Sequence, residues 1–196
     1  MTVSLSRKEL VDWATESIAF HGLDLARIST VLLAQSFSCE INRIFDTSDL
    51  THPIKALEGL SSCGGTGREE QFKHPPLTGL YKKHFTSPRF LAKNLLNFIR
   101  SKEGRQHFNK TWNEATAISG SMYIDETFTK YLTHHMVVDP ITIKSQSNTM
   151  TGEWIVFHKH DGANYYLALA FHGEKNDEIY KKLSLACEFD NLPFRL

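Results

Sequence analysis

Glu153 to Phe171 reads EWIVFHKHDGANYYLALAF, and this stretch decides the fold. Glu153 to His160 and Asn164 to Phe171 are rich in Ile, Val, Phe, Tyr and Leu, side chains that suit a pleated, half-buried surface. Between them stands Asp161-Gly162, a pair that tolerates the positive φ of a two-residue turn, so an antiparallel β-hairpin is expected. If the turn is confined to Asp161-Gly162, His158 lies across from Tyr165 and Lys159 across from Asn164; a loop from Asp161 to Asn164 would instead pair His160 with Tyr165. In either register His158 and His160, two residues apart, project from one face and Lys159 from the other.

Downstream, Asn176 or Asp177 starts a last helix with Ile179, Leu183 and Ala186 or Cys187 on its inner side. Upstream, Ser145 to Thr151 is a polar linker, and Ile141 to Lys144, a β-branched run after Pro140, is read as a third short strand. Everything before it has helical spacing. Ser6 and Glu9 form a capping box ahead of Leu10, Trp13, Ala14 and Ile18, giving a helix over about 7–21 that Gly22 stops. Asp24 caps a second, to about Phe45, and a short helix near Ile54 to Leu60 follows. Ser87-Pro88 opens one that runs to about Ser101; weaker patterns cover Glu103 to Ala117 and Asp125 to Met136. Between Thr47 and Thr86, His52-Pro53, the Gly64 to Gly67 run and His74-Pro75-Pro76 break up regular structure.

The expected class is therefore α+β: a helical N-terminal two-thirds packed with a small antiparallel sheet (strands near 141–144, 153–160 and 164–171) and a C-terminal helix. One domain over 1–196 is the expectation, with 120–140 the place for a subdomain boundary, since a lone hairpin and helix would be marginal.

Lys plus Arg and Asp plus Glu both number 22, so no net field draws the chain to nucleic acid or anionic lipid. Met1 to Glu9 lacks a basic segment leading into an apolar run, and the apolar runs are too short and interrupted to cross a bilayer, so a cytoplasmic protein with no membrane partner is expected. Cys39, Cys63 and Cys187 are odd in number and lack CxxC spacing, so neither disulfides nor a thiolate zinc site is indicated, and no cofactor is implied. Cys63-Gly64-Gly65-Thr66-Gly67-Arg68 matches neither the Walker A pattern nor the dinucleotide fingerprint.

Two histidine groups carry the candidate chemistry. His158 and His160, with Tyr165 across the hairpin, offer an acid and base pair or two metal ligands; catalytic zinc needs a third, for which Glu153, Asp161 and His172 are nearest in sequence. The segment from Lys73 to Arg89 is locally basic and holds His74, Tyr81, Lys83, His84 and Arg89, the side chain types that metal-free phosphodiester cleavage uses, and it could contact RNA. If both groups converge, His74, His84, His158 and His160 supply base and acid, Lys83 or Arg89 the countercharge, and Tyr81 or Tyr165 a further proton carrier.

Three functions follow in order. A binding or regulatory protein, meeting a protein partner or a second copy of itself through the loop or hairpin edge, comes first. A metal-independent, ribonuclease-like phosphodiesterase comes second, and a metal-dependent hydrolase or metal sensor on His158 and His160 third. His134-His135 is read as a helix end that complements the dipole, and His107 has no informative context.

Overall fold

Four antiparallel strands lie side by side in the order β1 (Glu70–Gln71), β2 (Tyr81–Phe85), β3 (Glu153–His160) and β4 (Ala163–Ala170). The hairpin takes the tight form: Asp161 and Gly162 both have positive φ, at 48° and 77°, and His158 faces Tyr165, Lys159 faces Asn164 and His160 faces Ala163. A bulge then lets Val156 face Ala168 and Phe157 face Tyr166, leaving Leu167 as the extra residue on β4. The computed structural model describes residues 5–61, 67–85, 87–121, 123–146, 153–171 and 173–196, apart from the side chains of 88, 89 and 144–146. The chain divides into two compact units, Met1–Ser87 with Gly152–Leu196 and Pro88–Thr151.

The first unit holds the sheet with α1 (Arg7–Glu16), α2 (Thr30–Ile41), α3 (Thr47–Leu57) and α7 (Asn176–Asp190). Strand alternation sorts the sheet into two apolar faces. On one, Val156, Ala168 and Ala170, with the bulged Leu167, are buried together with Leu77 and Leu80 and with Ile179, Leu183 and Ala186 of α7. The other carries Phe85, Ile155, Phe157, Tyr166 and Leu169, all buried, while α2 packs against β4 and α3 against β2. With both faces covered, three consecutive residues of β3, Ile155 to Phe157, are fully buried, and this explains the continuous apolar run.

Several elements depart from the sequence expectation. Ser6 and Glu9 do form the capping box of α1, but Asp24 caps only a 3-10 turn, Leu25–Arg27. The chain then straightens at Ile28, which bridges Tyr166, and Ser29 begins α2 afresh, so the expected 24–45 helix is split by pairing with the sheet edge. That edge is closed by side chains. The Ser29 hydroxyl accepts from the Leu32 amide and donates to the Leu167 carbonyl; Gln35 bonds both the amide and the carbonyl of Leu169 at 2.7 and 3.2 Å. Helix α3 starts at the Asp46 cap and runs through Pro53, which forfeits one backbone bond but is itself buried in the packing.

Glu58 at the end of α3 ties three elements together. Its carboxylate accepts from Arg27 at 2.7 Å, from the Tyr166 hydroxyl at 2.6 Å and from Asn164 at 3.1 Å. Burial opposes its charge, yet these bonds outweigh that penalty and hold it below the usual glutamate range.

The second unit consists of α4 (Pro88–Arg100), α5 (Lys102–Ser119) and α6 (Glu126–Gln146), each packed on the other two. Ile141 to Lys144 is therefore not a strand but the continuation of α6 beyond Pro140. The β-branched run is accommodated because Pro140 is buried and Thr142 donates back to the Val138 carbonyl at 3.0 Å, so tertiary packing overrides local preference. Phe98, Ala115 and Phe128 are buried in this unit, whereas Leu96, Ile99, Phe108, Trp112, Ile118, Val137 and Val138 remain exposed. The close point is the α4–α5 corner, where Ser101 caps the Gly104 amide and also donates to the Phe98 carbonyl.

Candidate functional site

The segment from Tyr81 to Phe85, read as part of a basic loop, is strand β2, and its alternation parts the residues expected to act together. His84 and Lys82 share a face with Trp154 and Val156; Tyr81, Lys83 and Phe85 belong to the opposite one. The Trp154 indole donates to His84 Nε2 at 3.2 Å, and Lys82 Nζ sits 4.5 Å above the Trp154 ring, 5.5 Å from Phe72 and 3.2 Å from Glu70. Across the sheet, Tyr81 stacks on Phe157 with Lys159 above its ring, and the buried Lys83 ammonium donates to the Gly67 carbonyl. His74 is exposed on a turn. The side chain of Arg89, together with Cys63 and His172, lies outside the described residues.

His158, His160 and Tyr165 do share one face, as the hairpin register requires. The two imidazole centroids are 6.3 Å apart, and the Phe194 ring packs over them at 4.4 and 5.3 Å and over Tyr165 at 5.3 Å. His84 is on this face too, but opposite Trp154, four residues along β3 from His158, or about 13 Å at the strand repeat. Among the described residues no group of three His, Cys, Asp or Glu side chains is set to hold a metal ion.

Beside His158 opens a cavity of about 220 Å³ whose wall includes Pro76, Thr78, Gly79, Leu80, Tyr180, Arg195 and Leu196. Its polar side chains come from four places: Thr78 from the turn before β2, His158 from β3, Tyr180 from α7 and Arg195 from the segment after α7. None of these four makes a hydrogen bond or ion pair with a described residue. His158 Nδ1 is moreover shut off from solvent. Burial first, and then the neighbouring His160, pushes the His158 imidazole below its ordinary value, so the ring is neutral at neutral pH.

Two larger cavities have other linings, and the second shares Arg195 and Leu196 with this one. One of about 660 Å³ is lined in part by Glu40, Asp46, Thr47 and Ser48, of which Thr47 donates to Glu40 and Asp46 accepts from Ser48, and in part by Lys55 and the exposed Glu16 and His52. Another, of about 450 Å³, adjoins Cys187, whose thiol is pushed up to about 11 by burial and then by Asp190 and Glu188, leaving it protonated and unreactive at neutral pH.

The second unit brings together a group that sequence reading passed over. His135 Nδ1 is 2.8 Å from Asp139 Oδ2, and His107 Nε2 is 3.6 Å from the same oxygen and 3.1 Å from the His135 carbonyl oxygen. One carboxylate thus serves an imidazole on α5 and another on α6. The i,i+4 spacing of His135 and Asp139 is a usable signal, hidden because the sequence pattern ends the helix at Met136; the place of His107 could come only from the fold. No protein-family model, no curated protein and no solved structure matches the chain.

Proposed function

We propose that the chain is a binding protein and that the cavity beside His158 receives its ligand. The observation that carries this reading is the set of four polar side chains, from Thr78, His158, Tyr180 and Arg195, that converge on one concavity without partners among the described residues. His158 and Tyr180 are partly buried and Thr78 and Arg195 exposed at the rim, and a few polar groups that converge on a concavity are what a ligand engages. Acid and base catalysis is supported less well. It needs two titrating groups within a few ångströms of one substrate, and the cavity wall contains one imidazole and no Asp or Glu side chain among the described residues. The residues first suited to phosphodiester cleavage divide between two sheet faces, with Tyr81 and Lys83 opposite to His84, His158 and His160.

The test pairs turnover with occupancy. The chain is incubated with a single-stranded RNA oligonucleotide and a fluorogenic phosphodiester, and a fragment set is screened by the ring resonances of His158. Binding at His158 with no cleavage above that of His84→Ala/His158→Ala protein is expected. Cleavage that falls by roughly 100-fold or more in His158→Ala, the usual size of an acid–base contribution, would instead establish an enzyme.

A further inference from the structure

We propose that the ligand of this cavity is a small anion, a carboxylate or a phosphate group. This rests on reading the cavity as a binding site. His158 Nδ1 is buried without a partner, and a buried N–H with nothing to donate to costs more than a buried lone pair left idle. The ring is therefore assigned its single proton on Nε2, which makes the other edge of the imidazole a donor. Arg195 adds a guanidinium, which has donors and no acceptor, and the Thr78 and Tyr180 hydroxyls can turn to donate.

Among the described residues no Asp or Glu side chain belongs to the cavity wall, while Arg195 brings a fixed positive charge to it. The donors converge from parts of the first unit that the fold, not chain proximity, brings together. Pro76, Leu80 and Leu196 supply apolar parts of the wall, and this lowers the local dielectric and strengthens each charge-assisted bond. Size sets a limit as well. About 220 Å³ lies below the ~300–1,000 Å³ of drug-sized sites and corresponds to roughly seven waters, room for one anionic head group and a short attachment.

Isotope-labelled full-length chain in a phosphate-free buffer is titrated with acetate, methyl phosphate, acetamide and methylammonium while the His158 ring nitrogens are followed. A saturable shift with acetate or methyl phosphate is expected, and the tighter of the two identifies the head group. Acetamide should bind about tenfold more weakly, and so should the anion to Arg195→Met, the scale of one charge-assisted hydrogen bond. Tyr180→Phe provides a second variant with the packing kept. If acetamide or methylammonium binds as tightly as the anions, the anion assignment is overturned while the cavity stands as a binding site. If none of the four probes, nor any member of the fragment set, moves His158, both readings fall.

Discussion

Replacing Gly104 by alanine should destabilise the second unit, although helix propensity alone predicts the reverse. In an ordinary helix interior this change gains about 1 kcal/mol. Here a Cβ built on Gly104 would stand 1.9 Å from the Phe98 carbonyl oxygen, 2.6 Å from its carbon and 3.1 Å from Ile99 Cα. Those atoms are backbone, so relief requires α4 and α5 to part by about 1 Å to reach even the 3.0 Å that real Cβ atoms respect. The same Phe98 carbonyl accepts from the Ser101 amide at 2.9 Å and its hydroxyl at 2.7 Å, and both bonds stretch when it retreats. Overpacking costs ~1–3 kcal/mol and each weakened bond up to ~1, so after the propensity gain the net loss is about 2 kcal/mol. In a unit with so few buried apolar side chains that is a large share of the total. Thermal unfolding followed by helical circular dichroism, with hydrogen exchange across α4 and α5, reports it; Asn113→Ala, at an exposed site on α5, serves as the control and should gain a few tenths of a kcal/mol. Gly104→Ala protein as stable as wild type would refute the close helix approach.

The first unit offers three more tests. Glu58→Gln should cost about 1–3 kcal/mol at neutral pH by weakening the bonds from Arg27 and Tyr166. Because the folded value lies below the ordinary glutamate value of 4.5, this contribution is complete above that pH and is lost as pH falls through the folded value, so urea titrations of the two proteins should converge in acid; a constant gap would contradict the linkage. Ser29→Ala removes both the α2 cap and the bond to the β4 edge, with an expected loss of about 2 kcal/mol in denaturant unfolding; under ~0.5 would show that the edge is held otherwise. Cys187, with its thiol pushed up to about 11, should be alkylated by iodoacetamide at pH ~7.5 roughly 300-fold more slowly than a free cysteine; mass spectrometry showing near-equal rates would refute its burial.

The parts of the fold legible in the sequence are those specified by neighbours in the chain. Asp161-Gly162 between alternating apolar runs sets the hairpin and its register, and Ser6 with Glu9 sets the start of α1. Strand β2 was not legible because YKKHF has only local charge to show, while its partner β3 begins 68 residues after it ends. Ile141 to Lys144 misled in the opposite sense: the β-branched preference is genuine, but burial of Pro140 and the packing of α6 on α5 outweigh it. Ile28 and Ser29 likewise leave a helical pattern for bonds to an edge strand far along the chain.

The same locality explains the histidines. Proximity in the chain made Tyr81, Lys83 and His84 look like one basic group, yet a period of two sends neighbours to opposite sides of a sheet, and the sheet here is covered on both. What chain order separates, the fold assembles: Thr78, His158, Tyr180 and Arg195 span over a hundred residues and meet at one cavity. The tight turn matters to that meeting. A shift of pairing by one residue would carry His158 to the face that holds Tyr81 and Phe157, away from α7 and from Tyr180. Hairpin register is thus the element of the sequence on which the candidate site depends, and Gly162, at φ 77°, is the residue that sustains it.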